Sequence, residues 1–118
     1  MRLVVLLLVS LALAGCAGGE PTARVRDRHV AIVLDDFSIR PQTIRARPGK
    51  ITFDLVNRGR VGHNFHLRRG AGDPVEVTTI FPGERESVTA DLKRGDYRMV
   101  CTVSNHEELG MYGTLVVR

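Results

Sequence analysis

A chain of 118 residues with a formal net charge of +4 has room for a single domain and carries only a modest surplus of positive charge. Aromatic residues make up 5% of the chain, and the arginines are spread along it without a regular interleaving of rings, which argues against a nucleic-acid face. Two cysteines, Cys16 and Cys101, are too few for a small disulfide-built scaffold.

In chain order, one arginine precedes an apolar run from Leu3 to Ala14. The run falls short of the roughly 20 residues that span a bilayer and fits the hydrophobic part of a secretory leader. Leu13-Ala14-Gly15-Cys16 resembles a bacterial lipobox, which implies a signal peptide over 1–15, lipidation at Cys16 and an anchor of acyl chains. Residues 16–28, polar and basic from Glu20 to Arg28, read as a flexible tether. The folded domain is expected over 29–118. With Cys16 lipidated, Cys101 has no partner for an intramolecular disulfide. An exported domain must then protect that thiol by burial, by a metal or by use in chemistry.

From His29 onward no segment carries a long helical stripe. Short β-rich runs alternate with turn signals: HVAIVLDD (29–36), QTIRARPGK (42–50), ITFDLVN (51–57), HNFHLRR (63–69), VEVTTIF (75–81), SVTADL (87–92), YRMVC (97–101) and GTLVVR (113–118). Within 51–57, Ile51, Phe53 and Leu55 alternate with Thr52, Asp54 and Val56, so one face of that strand is apolar. About eight strands at this spacing predict an all-β, antiparallel-rich Greek-key β-sandwich or barrel. Only NHEELGM (105–111) has the makings of a helical turn. Phe37, Phe53, Phe65 and Phe81 are expected to fill the sandwich. His66 is expected on the face opposite His63, His29 in solvent, and Met99 and Tyr97 in the core on the face of Cys101.

The chemistry concentrates in CTVSNHEELGM (101–111), where Cys101, His106 and Met111 recur with four residues between neighbours. A loop joining two strands at one end of a sandwich can curl three such side chains round a point, and His63, at another loop–strand junction, can supply a fourth. Structural zinc takes four strong ligands and catalytic zinc keeps a water position. Two imidazoles and a thiolate with a weak thioether instead form the donor set of mononuclear blue-copper sites, acceptable to both Cu(I) and Cu(II).

The segments NRGRVGHNF (57–65), KRGDYRMVCT (93–102) and HEELGMYGTLVV (106–117) resemble those of the cupredoxins, the family of plastocyanin and azurin, across about the whole folded part. The resemblance implies one copper ion held by His63, Cys101 and His106, with Met111 as a weak axial ligand. It also implies that Asn64 pins the ligand loop and brings a backbone N–H near the thiolate, and that the Gly62 carbonyl is a distant fifth contact. The ligand spacing differs from that of plastocyanin and azurin. Ser104-Asn105 stand where many relatives have Pro or Gly.

The function expected is an extracytoplasmic electron carrier, not an enzyme, cycling Cu(I)/Cu(II) as a monomer. It would sit on the periplasmic or extracellular face of a bacterial membrane, held by its lipid. Redox partner proteins would dock transiently beside His106 at Val103, Leu109 and Gly110, with no nucleic acid involved. The alternative is a copper-transfer protein supplying a cuproenzyme. A metal-free structural lipoprotein leaves four convergent donors unexplained. A Cys–His hydrolase lacks an oxyanion site and a third orienting group.

Overall fold

A computed structural model describes residues 22–118; the leader 1–15 and Cys16 lie outside the described residues. The domain is all-β, with ten strands in two facing sheets. They are β1 (Ala23–Arg24), β2 (His29–Asp35), β3 (Ser38–Arg40), β4 (Thr43–Ala46), β5 (Gly49–Asn57), β6 (His63–Arg69), β7 (Gly72–Ile80), β8 (Arg85–Leu92), β9 (Gly95–Val100) and β10 (Tyr112–Val117). One sheet has the order β1-β4-β10-β9-β6-β7, the other β3-β2-β5-β8. Among the described residues the chain changes sheet between β1 and β2, β3 and β4, β4 and β5, β5 and β6, β7 and β8, and β8 and β9, so neither sheet can form without the other. Most neighbours are antiparallel; β1/β4, β10/β4 and β2/β5 are parallel.

Alternation builds the core. On β5 the buried residues are Ile51, Phe53, Leu55 and Asn57; on β2 they are Val30, Ile32 and Leu34; on β6 they are His63, Phe65 and Leu67. A period of two therefore carries the inward face of β6 onto His63, just as it carries that of β5 onto Asn57. Phe53 and Phe65 meet between the sheets with ring centroids 5.7 Å apart, within the favourable range for aromatic pairs. Tyr97 is buried, donates its hydroxyl to the Lys93 carbonyl at 2.8 Å and accepts from Arg69 at 3.1 Å. Pro74 interrupts no ladder, because β7 is an edge strand.

Two sequence expectations change. Phe81 does not fill the sandwich: it is 60% exposed and follows Ile80, the buried last residue of β7, so alternation turns it outward. Residues 23–28 are not free tether. Ala23–Arg24 add β1 to the edge beside β4, and the Val25 N–H donates to the Arg45 carbonyl at 2.9 Å. Arg28 grips the β4–β5 turn, donating to the carbonyls of Lys50, Arg47 and Pro48 at 2.7, 3.2 and 3.1 Å. Its long planar donor group satisfies three turn carbonyls, a long-range role that a polar sequence run does not disclose. The expected helical turn is present: residues 104–110 form successive turns, and the Leu109 N–H donates to the Asn105 carbonyl at 3.2 Å.

Gly113 sits where β10 passes closest to its neighbours. A Cβ there would lie 2.5 Å from the Gln42 carbonyl oxygen and 2.7 Å from the Met99 side chain. Gly113→Ala is expected to destabilise the domain by about 1–3 kcal/mol through overpacking, read as a lowered urea midpoint; an unchanged midpoint would show that β10 shifts freely.

Candidate metal centre

Three donors converge at the end of the sandwich where β6 begins and β9 ends. His63 is the first residue of β6, Cys101 follows β9, and His106 stands in the connection to β10. Nδ1 of His63 lies 3.2 Å from Nδ1 of His106; Sγ of Cys101 lies 3.6 Å from the latter and 4.0 Å from the former. His63 and Cys101 are fully buried and His106 is 8% exposed. Each therefore presents a single donor atom to one shared point, and water reaches only the edge of His106.

Backbone hydrogen bonds close the loop around that point. The Cys101 N–H donates to the Met111 carbonyl at 3.1 Å and the Met111 N–H to the His106 carbonyl at 3.0 Å. Met111 is fully buried, tied through its main chain to both loop donors. Ser104 takes a left-handed conformation with φ +46°, and Gly110 has φ +112°; the side-chain-bearing Ser104 thus makes a bend that glycine makes more cheaply. Compensating rigidity comes from outside the loop. Glu107, next to His106, accepts from Arg68 at 3.1 Å and from Arg98 at 2.9 Å. The Arg98 guanidinium also stacks over Tyr112, next to Met111, at 4.3 Å. One arginine on β9 thus holds the flanks of both His106 and Met111.

Asn64 joins the two halves of the site. Its amide donates to the Thr102 hydroxyl at 2.7 Å and accepts the Thr102 N–H at 2.7 Å, so the residue after His63 is locked to the residue after Cys101. A backbone N–H bonded to the sulfur, which the resemblance implied, is not among the hydrogen bonds of the described residues; the polar atoms within reach of Sγ are the two imidazole nitrogens. Buried Asn57 shapes the loop leading to His63: its amide donates to the carbonyls of Val61 and Ile80 at 2.8 Å and accepts the Gly59 N–H at 2.8 Å. Gly62 has a packing role, because a Cβ there would meet the Thr79 methyl at 2.8 Å.

Of two further neighbours of the donors, Asp36 was not singled out in the sequence and Phe37 was expected only as filling of the sandwich. The Asp36 Oδ1 lies 2.7 Å from Nε2 of His63, while its Oδ2 accepts the Arg60 N–H at 2.8 Å. Phe37 packs against both imidazoles, with centroids 4.6 Å from His106 and 6.1 Å from His63. Nothing in Asp35-Asp36-Phe37 announces this; a strand end followed by a half-buried aromatic was the available signal. His66 faces away from the centre and pairs with Asp73 at 3.1 Å. Together with Glu76 they form a second group of convergent donors, but Arg68 stands 3.7 Å from Asp73 and supplies the positive charge there.

The donor set fits a metal ion. A first-row ion about 2.0–2.3 Å from each nitrogen and sulfur requires every pair of donors to lie within about 4.4 Å, and all three measured separations satisfy this. Thiolate with two imidazoles suits copper or zinc. A buried cysteine with no disulfide partner among the described residues is the chemistry such an ion stabilises, since a metal ion takes the sulfur as thiolate.

A two-sheet β-sandwich with two imidazoles and one thiolate buried at one end defines a class of metal-site domains, and comparison with known proteins gives the family. A model of the cupredoxin-like domain matches residues 3–117, and the chain belongs to that family. It is 30% identical over 120 residues to the copper-resistant cuproprotein CopI of Rubrivivax gelatinosus, covering 85% of this chain and 73% of CopI. It is 27% identical over 89 residues to the iron uptake system component EfeO of Escherichia coli K12, covering 75% of this chain; it spans only 23% of EfeO. Reduced auracyanin from Roseiflexus castenholzii superposes with a TM-score of 0.72 at 17% identity, covering 78% of this chain and 98% of auracyanin. That last likeness is one of fold.

Acid stability of the metal-free protein follows from two groups here. Burial, then the neighbouring His63, push His106 below its ordinary value of 6.5, with Asp36 opposing. The Arg60 N–H and His63 hold the Asp36 carboxyl below 3.8, against the opposing effect of burial. Both groups bind protons more readily unfolded than folded, so each contributes a loss of stability as pH falls. The His106 loss begins near 6.5 and the Asp36 loss near 3.8. The denaturant midpoint of the metal-free protein is expected to fall between pH 7 and 5 and again below 4; a flat profile from 7 to 5 would exclude the His106 contribution. Separately, Arg98→Ala is expected to cost about 1 kcal/mol and to speed amide exchange selectively in 104–110.

Proposed function

We propose that this chain is a mononuclear blue-copper electron carrier. The observation that carries the reading is the buried triangle of two Nδ1 atoms and one Sγ, with fully buried Met111 bound through its backbone to two of the three residues. His63, Cys101 and His106 would hold the ion through those atoms, with the Met111 thioether as the weak fourth donor. Copper bound there supplies one-electron chemistry between Cu(I) and Cu(II). The protein's part is to keep the donors in one arrangement. Asn64–Thr102 fixes His63 relative to Cys101, the two loop hydrogen bonds fix His106 and Met111 relative to Cys101, and burial excludes water that would otherwise reorganise with each change of charge. No group positioned as nucleophile, base and oxyanion donor is needed for such a role.

His106, the donor with an exposed edge, is the route for electrons to the surface. Beside it in sequence Leu109 is 52% exposed, with partly buried Val103 and Gly110 in the same loop. A redox partner docks there transiently. The likeness of the leader to a lipobox supports export and a lipid anchor at Cys16. A second reading, copper binding for transfer or sequestration, is favoured by the similarity to a copper-resistance protein. It uses the same donors and differs in how readily the ion leaves.

The visible spectrum of the Cu(II)-loaded protein, before and after ascorbate, tests this. An intense thiolate-to-copper band that bleaches and returns is expected for the carrier, lost in Cys101→Ser and shifted but retained in Met111→Leu. Absence of that band, with tight Cu(I) binding that a chelator strips within minutes, would replace the carrier by the handling role.

A further inference from the structure

Asp36 opens the turn after β2 in one sheet, and His63 begins β6 in the other. Their contact at 2.7 Å ties the four-stranded sheet to the donor cluster by a hydrogen bond, beside the packing of Phe37 on the two imidazoles. An ionised carboxylate only accepts hydrogen bonds, so the proton of the neutral imidazole sits on Nε2 and the lone pair of Nδ1 faces Cys101 and His106. Both carboxylate oxygens are committed, one to His63 and the other to the Arg60 N–H, and the Asp36 side chain is 15% exposed. Gly59 makes room for the contact. A Cβ at that position would collide with Oδ1 of Asp36 and stand 2.7 Å from Nε2 of His63. Arg60 and Gly59 belong to the same short connection that delivers His63, so acceptor, clamp and clearance form one unit.

We propose that Asp36 is a positioning residue for the metal centre: it presets the Nε2–H tautomer of His63 and places a fixed negative charge one ring away from the ion, favouring Cu(II) over Cu(I). The role rests on the copper reading above. Its physical basis is general, since a carboxylate accepting the outer N–H of a ligating histidine raises the basicity of the inner nitrogen, and losing such a partner typically costs 10- to 100-fold in metal affinity. At close range, with little water between, a unit charge acts more strongly on the ion of higher charge. Asp36 thereby sets the potential as well as the geometry.

Two variants and two readouts separate this from a merely structural contact. Asp36→Asn removes the charge and offers one oxygen to two donors; Gly59→Ala keeps the charge and pushes it off Nε2. In the metal-free wild type, nitrogen-15 spectra of the His63 ring are expected to show the Nε2–H tautomer, and in Gly59→Ala a mixture. This readout needs no metal and stands even if copper is not the ion bound. In copper-loaded protein, Asp36→Asn is expected to weaken Cu(II) about 10-fold more than Cu(I), an upward shift in potential of about 59 mV. A purely structural contact would weaken both ions together and leave the potential unchanged. An unchanged potential, or an Nδ1–H tautomer in the metal-free wild type, would overturn the assignment. Failure of the wild type to give the blue band would instead remove the carrier reading while leaving the tautomer result to decide the positioning role.

Discussion

Burying a thiol and two imidazoles against one another is unfavourable unless the chain holds them there, and the reciprocal pair of hydrogen bonds between Asn64 and Thr102 supplies the hold. It joins the residue after His63 to the residue after Cys101, two points 38 positions apart in sequence. Everything else at this end is built on that registration. With β6 and β9 fixed side by side, the connection to β10 has to close over a point already defined by His63 and Cys101, and the His106–Met111–Cys101 backbone bonds close it there. A side-chain amide can do this because it donates and accepts at once, matching a hydroxyl and an N–H on the same neighbour.

The rest of the sandwich serves as the frame for that clamp. Six connections among the described residues pass from one sheet to the other, so the inner faces of β5 and β6 must pack before the donor end can exist. Phe53 and Phe65 meet in the middle of this layer, and the same alternation that aims Phe65 inward aims His63 inward two residues earlier. The donor thus needs no special loop to be buried. It inherits burial from the phase of its strand, while Asn57 and Gly59 shape the approach to it.

What could be read from sequence divides along the range of the forces involved. The strand pattern, the inward phase of 51–57 and the gathering of Cys101, His106 and Met111 are local signals, and His63 announced itself through donor chemistry and a familiar neighbouring Asn64. Misplaced features depend on what lies across the fold. Phe81 looked like core because it is aromatic and ends a β run, yet the inward position there is taken by Ile80, one residue earlier. Arg28 looked like tether because it is charged, yet its guanidinium fills the β4–β5 turn. The two-residue β1 and three-residue β3 are too short to leave a periodic trace. Asp36 was invisible for the same reason: an aspartate at the end of a strand is ordinary until a histidine from the other sheet is found 2.7 Å away.

The spacing of the donors along the chain also bears on how the protein matures. Cys101, His106 and Met111 lie within one eleven-residue stretch, whereas His63 reaches them only after β6 has paired with β9. Cys101, His106 and Met111, three of the four proposed donors, are therefore neighbours even in an unfolded chain, where an ion met early would find them before the sandwich forms. Any such affinity of the unfolded chain subtracts from the stabilisation the ion gives the native state. The order of events, metal before fold or fold before metal, is thus left to the availability of the ion where the chain emerges.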